Sequence, residues 1–109
     1  MRSEVELTPD VTTITLHEDL DMATVEELRV LLDQAVTGGS PRILVDLADV
    51  AFVDVVSLSA ILAAADTVRE AGRQLTGSGA SMAVRRLCAL LNADDVLHPP
   101  LPMPRVSNG

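Results

Sequence analysis

The chain has 109 residues, 48% of them apolar and only one, Phe52, aromatic, so it can form one domain with a single aliphatic core. Sixteen acidic and eight basic residues give a formal net charge of −8, and every basic residue is arginine. The lack of lysine excludes a P-loop lysine, a Schiff-base lysine and the lysine of a receiver domain. The negative charge argues against nucleic acid and favours a partner with a basic surface.

The N-terminal part predicts a β-hairpin followed by a helix. Residues near 3–8 and 11–17 have β-favouring composition and are separated by the turn residues Thr8-Pro9-Asp10. Thr24 and Glu27 have capping-box spacing, which indicates a helix start, and the glycine pair 38–39 predicts the helix end.

The central part, residues 42–72, predicts a strand, a tight loop and a second helix. The apolar run 43–47 is typical of a strand buried on both faces. Asp54 lies where an N-cap is expected, so its carboxylate would accept amide hydrogens of the first helical turn. The helix has apolar residues at 58, 61, 62, 65 and 68, with Asp66, Arg69, Glu70 and Arg73 on its outer face.

The C-terminal part is less regular. The segment QLTGSG at 74–79 predicts a weak fourth strand, since two glycines offer no side chains to pack, and this edge could pair with a second copy in a homodimer. Ser81 predicts the N-cap of a last helix, and Asn92 its end. Residues 99–109, beginning PPLPMP, predict an extended tail.

Strands alternate with helices after the hairpin, which predicts an α/β domain. We expect residues 1–98 to form one domain, with a mixed four-stranded sheet, an N-terminal hairpin and about three helices packed on it.

Few side chains suit catalysis or metal binding. Cys88 is the only cysteine and lies in a helical apolar stripe, and His17 and His98 are read as surface residues without ligand spacing. Asp46 and Asp54 could suggest a carboxylate pair, but Asp46 lies within a strand run. We therefore expect no catalytic residues, cofactor or metal. No apolar stretch of membrane-spanning length and no signal-peptide core is found, so a cytoplasmic location without membrane insertion is expected.

Several short motifs together resemble the STAS domain of bacterial anti-sigma factor antagonists over about residues 4–97. They are Asp19-Leu20-Asp21 with Ala23-Thr24, ILVDL at 43–47, Phe52-Val53 before Asp54, Leu58, the alanine run 63–65, Glu70-Ala71-Gly72 and AVRRL at 83–87. The resemblance implies a STAS-like fold and a regulatory role exerted through protein binding.

The sequence departs from this family at the loop that carries its switch. The family pattern D-S-S-G has its phosphorylated serine directly after the aspartate, whereas here Asp54 is followed by Val55, Val56 and Ser57. Valine has no hydroxyl, so the usual phosphorylation by an anti-sigma factor kinase is excluded at this position. The chain is then either permanently able to bind, or it uses Ser57, Ser59 or Thr24 as acceptor, or it has another STAS role.

The resemblance and the loop together define the expected interaction site. Its partner is expected to be an anti-sigma factor of the kinase type, bound without the phosphoserine switch. The alternative is a cytoplasmic STAS subunit of a lipid-trafficking ABC transporter, and an enzyme is a third, poorly supported reading. The expected partner-binding residues are Asp21, Thr24, Asp54, Val55, Val56, Ser57 and Leu58.

Overall fold

Strands and helices alternate along the chain after an opening hairpin. The computed structural model describes residues 1–97, so the predicted tail at 99–109 and His98 lie outside the described residues. The strands are β1 (Ser3–Leu7), β2 (Val11–Leu16), β3 (Arg42–Asp46) and β4 (Gln74–Ser78), and the helices are α1 (Val25–Thr37), α2 (Val55–Glu70) and α3 (Met82–Leu90). A short 3-10 turn, Asp94–Val96, follows α3.

The four strands form one mixed sheet in the order β1-β2-β3-β4. β1 and β2 are antiparallel, with Val5 opposite Ile14, whereas β2, β3 and β4 are parallel, with Ile14, Val45 and Gly77 side by side. The predicted fold class, with its N-terminal hairpin and three helices, is confirmed.

The core lies on one face of the sheet. Ile14, Ile43 and Val45 belong to the same buried cluster as Leu28 of α1, Ile61 of α2 and Cys88 of α3. The opposite face of β3 is only partly covered, since the burial of this strand alternates along its length. The prediction that this strand is buried on both faces is wrong, because all three helices contribute to a single core.

Three predicted helix ends are confirmed. The Asp54 side chain caps α2 and the Ser81 side chain caps α3, and Asn92 follows α3 with a left-handed φ of 55°. The prediction of a capping box at the start of α1 is wrong, although Thr24 does precede the helix. The Thr24 side chain makes no cap hydrogen bond, and the Glu27 carboxylate accepts instead from the Met1 amino group at 2.7 Å.

The predicted weakness of β4 is also wrong. β4 pairs with β3 over all five of its residues, and Leu97 forms a parallel bridge with Gly77 on its other side. A Cβ at Gly77 would lie 3.3 Å from the Leu97 side chain and 3.4 Å from Leu47. The glycine therefore allows a close approach, and Leu97 covers part of the edge that was expected to be open.

Arg73 does not lie on the outer face of α2 as predicted, because that helix ends at Glu70. Its guanidinium donates to the backbone carbonyls of Ala35 and Val36 at the end of α1 and to that of Ser40.

Candidate functional site

Two loops meet at one edge of the sheet. They follow β2 and β3, whose carboxyl ends lie side by side because these strands are parallel. The Leu20 amide donates to the Phe52 carbonyl, and the Asp54 amide donates to the Leu20 carbonyl, each at 2.9 Å. This backbone pairing holds the loop before α1 against the loop before α2.

Asp19 strengthens the same junction. Its Oδ1 accepts from the Ala51 amide at 2.9 Å and from the Phe52 amide at 3.1 Å. Sequence reasoning used Asp19 only as part of a family motif and missed this role. A short acidic side chain between two loops gives no periodic signal that would reveal a contact across more than thirty positions.

Asp54 fixes the first turn of α2. Its Oδ1 accepts from the Ser57 amide at 2.7 Å, and its negative charge lies at the positive end of the helix dipole. The backbone of the turn is thereby held in place, and the side chains of Val55 and Val56 point away from it.

The predicted site residues divide into an exposed and a buried group. Val55 is 51% exposed and Val56 47%, and Asp21 and Asp54 are partly exposed. Thr24 is 8% exposed, Leu58 1% and Ser57 0%. Of the seven predicted residues, the two valines and the two carboxylates therefore reach the surface, and the other three are buried.

Ser57, a possible phosphate acceptor by sequence, has a buried side chain. Its hydroxyl has no hydrogen-bond partner among residues 1–97. Thr24 Oγ1 accepts from the Asp21 amide at 3.1 Å and lies 3.2 Å from the Asp19 carbonyl. A kinase would have to open the site to reach either hydroxyl, whereas Ser59 is exposed.

His17, read from the sequence as a surface residue, is partly buried and contacts the loop that leads to Asp54. Its Nδ1 is 2.8 Å from an Asp49 oxygen and its Nε2 is 3.2 Å from a Glu4 oxygen. The hydrogen bond to Asp49, with a smaller contribution from Glu4, raises the pKa of His17 above its ordinary value. The His17 side chain thus links Glu4 of β1 to Asp49 in the loop before α2.

An apolar groove continues from the site onto α3. It has a volume of about 490 Å³ and lies between residues 52–55 on one side and Ala83, Arg86, Leu87 and Leu90 on the other. Leu90 is 80% exposed and Phe52 52%. Sequence reasoning considered only the apolar stripe that contains Cys88 and missed this wall, although leucines at 87, 90 and 91 make the apolar face of the segment wider than one stripe.

The described residues offer little for other chemistry. Between residues 1 and 97 no group of three or more His, Cys, Asp or Glu side chains could hold a metal ion. Burial of the Cys88 side chain raises the pKa of its thiol, which disfavours the reactive thiolate. In the same part of the chain, no helix is both long enough and apolar enough to cross a membrane.

Solved structures with this fold include anti-sigma factor antagonists. The unphosphorylated form of the antagonist SpoIIAA superposes with a TM-score of 0.76 at 16% identity, covering 99% of this chain and 88% of that one. The phosphorylated form of SpoIIAA from Bacillus superposes with a TM-score of 0.71 at 15% identity, covering 99% of this chain and 91% of that one. An antagonist from Mycobacterium paratuberculosis superposes with a TM-score of 0.79 at 21% identity, covering 90% of this chain and 83% of that one. At these identities the likeness establishes the fold.

The family is established by sequence. A family model described as "Mlab, STAS domain" matches residues 3–100. The chain therefore belongs to this STAS family, and its fold is that of the anti-sigma factor antagonists. No curated protein matches the chain significantly.

Proposed function

We propose that this chain is a non-enzymatic regulatory domain that binds an anti-sigma factor of the kinase type and lacks the usual phosphoserine switch. The observation that carries the proposal is Val55, which is 51% exposed and stands at the first position of α2, directly after the capping Asp54. In the resembling antagonists this is the position of the phosphorylated serine.

The geometry supports a binding surface at this position. Val55 and Val56 present two β-branched side chains whose rotamers are restricted, so little conformational entropy is lost when a partner covers them. The loops beneath them are fastened by Asp19 and by the Leu20 pairing, so the surface is preorganised. A partner would bury apolar area here without first ordering the loop.

Because Val55 has no hydroxyl, the proposed binding is not controlled by phosphorylation at this position. A phosphate would add a charge of about −1.5 to −2 at the helix start and disrupt an apolar contact there. Ser59, which is exposed one turn further along α2, is the alternative acceptor. Thr24 and Ser57 are buried, and this argues against modification of either in the folded chain.

A second candidate is the cytoplasmic STAS subunit of a lipid-trafficking ABC transporter. The family description "Mlab, STAS domain" favours it. In this role the domain would be a structural clamp, and a valine at the acceptor position would need no further explanation. The same exposed surface at Val55 and Val56 would then contact the ATPase subunit.

The deciding experiment is a pull-down at low salt from the native cytoplasmic extract, using wild type and Val55→Asp, with mass spectrometry of the bound proteins. Aspartate imitates the phosphate charge and suits the first turn of a helix, so the fold is preserved. We expect the affinity for the partner to fall at least about tenfold, equivalent to about 1.4 kcal/mol. The matched control is Val30→Asp, since Val30 is a 56% exposed valine on α1.

The identity of the lost protein separates the two candidates. A kinase-like anti-sigma factor supports the antagonist, and a transporter ATPase supports the STAS subunit. If Val55→Asp and Val30→Asp retain the same proteins as wild type, this loop is not the interface and the proposed function is wrong.

A further inference from the structure

The apolar groove between residues 52–55 and α3 extends the proposed site and has its own chemistry. We propose that it binds an amphipathic helix of the protein partner, with the apolar stripe of that helix in the groove and one of its carboxylates facing Arg86. The inference rests on the proposed function, because it assigns a binding mode to the same partner.

The shape of the groove fits two turns of a helix. Its α3 wall is formed by positions 83, 86, 87 and 90, the i, i+3, i+4, i+7 spacing of one helical face. Seven residues of helix rise about 10 Å, which sets the length of the contact. The groove is open to solvent and has a volume of about 490 Å³, which leaves space for apolar side chains of a partner.

The groove brings together several exposed apolar side chains in a protein with a net charge of −8. Leu90 is 80% exposed, Phe52 52% and Val55 51%, and the three side chains line one continuous depression. A contiguous exposed patch of this kind, next to a preorganised loop, marks an interaction surface. Apolar anchors such as Leu, Met or Phe on the partner would fill it.

The lining of the groove favours a helix over an added strand. The groove is bordered by residues 52–55 and by α3, and none of its lining residues belongs to β1–β4. A partner in the groove therefore meets no strand edge with backbone groups to pair, which favours a helix laid into the groove over strand addition.

The charge distribution around the groove indicates where the partner helix should carry an acidic residue. Arg86 is exposed on the α3 wall, and among residues 1–97 it has no ion-pair partner. Asp54 lies on the opposite wall. In a protein with a net charge of −8, an exposed arginine beside an apolar groove provides local complementarity to a carboxylate. The partner should place an acidic residue toward α3.

The test is a double-mutant cycle with defined peptides, followed by NMR on the ¹⁵N-labelled full chain. Two 18-residue helical peptides share a leucine stripe at i, i+3, i+4 and i+7 and differ only by Glu→Gln beside the stripe. We expect the Glu peptide to bind about threefold more tightly to wild type and the two to bind equally to Arg86→Gln. The control is Arg42→Gln, which removes an exposed arginine at the start of β3 and should keep the preference.

The apolar contact is tested with a second pair of variants. Leu90→Ser should weaken both peptides about tenfold, because it removes a leucine side chain from the contact. Leu7→Ser is the control, since Leu7 is 69% exposed on β1 and far from the groove in strand order. Amide shift changes should concentrate at Phe52, Val55 and Leu90.

The outcomes separate this inference from the proposed function. If neither peptide binds, or if the Glu preference survives Arg86→Gln, the helix-binding groove is wrong. If the native partner is lost with Val55→Asp but retained with Leu90→Ser and Arg86→Gln, the loop function stands and the groove does not. If Leu90→Ser abolishes a wild-type dimer in sedimentation, the occupant is a second copy and the proposal is overturned.

Discussion

At the scale of single residues, His17 links the first strand to the site loop through both of its ring nitrogens. The partner atoms are carboxylate oxygens of Asp49 at 2.8 Å and of Glu4 at 3.2 Å. Both contacts favour the charged imidazolium, which is why the pKa of His17 in the folded state lies above its ordinary value of 6.5. In the unfolded chain these contacts are absent, so the two states bind the proton with different affinity.

This difference makes stability depend on pH. The contribution of His17 is fully present below the unfolded-state pKa of 6.5 and is lost as the pH rises through the higher folded-state pKa. We therefore expect the stability of wild type, relative to His17→Gln, to be greater at about pH 6 than at about pH 8.5. Urea unfolding of both proteins at the two pH values measures the difference. An equal change in the free energy of unfolding with pH in both proteins would contradict a contribution of His17 to the pH dependence.

The site residues show what a sequence can indicate at this scale. Asp54 was assigned correctly as a helix cap, because an acidic residue before a periodic apolar run is a local signal. The burial of Ser57 could not be inferred, because it depends on how the first turn of α2 packs against the core. Phe52 was noted as the sole aromatic residue and as part of a family motif, and its 52% exposure could not be inferred because it depends on the path of the loop.

At the scale of elements, Arg73 connects the end of α1 with the segment before β4. Its guanidinium donates to the carbonyls of Val36 at 2.7 Å, of Ser40 at 2.8 Å and of Ala35 at 3.1 Å. The last carbonyls of a helix lack partners within the helix and carry the negative end of its dipole. A planar cation with several donors satisfies this geometry better than a lysine ammonium would.

Loss of these bonds should destabilise the fold. We expect Arg73→Met to lower the free energy of unfolding by about 2–3 kcal/mol, and Arg73→Lys by about 1 kcal/mol, because hydrogen bonds to charged groups are strong and a single ammonium replaces only part of the set. Urea denaturation measures both. The control is Arg69→Met, which removes an exposed pair with Asp66 and should cost about 0.5 kcal/mol or less. Equal losses at the two arginines would be inconsistent with this capping role.

The elements themselves were largely readable from the sequence. Each strand and helix was placed from apolar periodicity and turn residues, and the outcome agrees for the hairpin and all three helices. The pairing of β4 was underestimated because its glycines were considered only as positions without a side chain to pack. The benefit of Gly77 depends on Leu97, twenty residues later, whose side chain packs against it. A contact between residues so far apart in sequence cannot be inferred from the local composition.

At the scale of the whole molecule, the proposed binding surface stands on one continuous core. Leu58 and Val68 of α2 and Val84 and Cys88 of α3 are members of a single buried cluster that also holds the central strands. The two walls of the groove are therefore backed by the same packed side chains. Since interiors are close-packed and change volume only at a cost, the walls should not separate without general loss of the core.

Cys88 provides a direct measurement of this coupling. It is the only cysteine, its side chain is 0% exposed, and it lies on the core side of α3, the helix that forms one wall of the groove. If α3 opens only when the whole core unfolds, the free energy of opening obtained from thiol labelling should equal the global free energy of unfolding from urea, to within about 1 kcal/mol. The raised pKa of the buried thiol further slows any reaction in the folded state.

The control for labelling is Met82→Cys in a Cys88→Ala background, which should react at once because Met82 is 67% exposed at the start of the same helix. A labelling free energy for Cys88 well below the global value would mean that α3 detaches by itself. The groove would then be transient, and a partner helix would have to stabilise α3 as it binds, at a cost in affinity. Agreement between the two values would instead mean that the partner meets a preformed surface whose α3 wall is as stable as the fold.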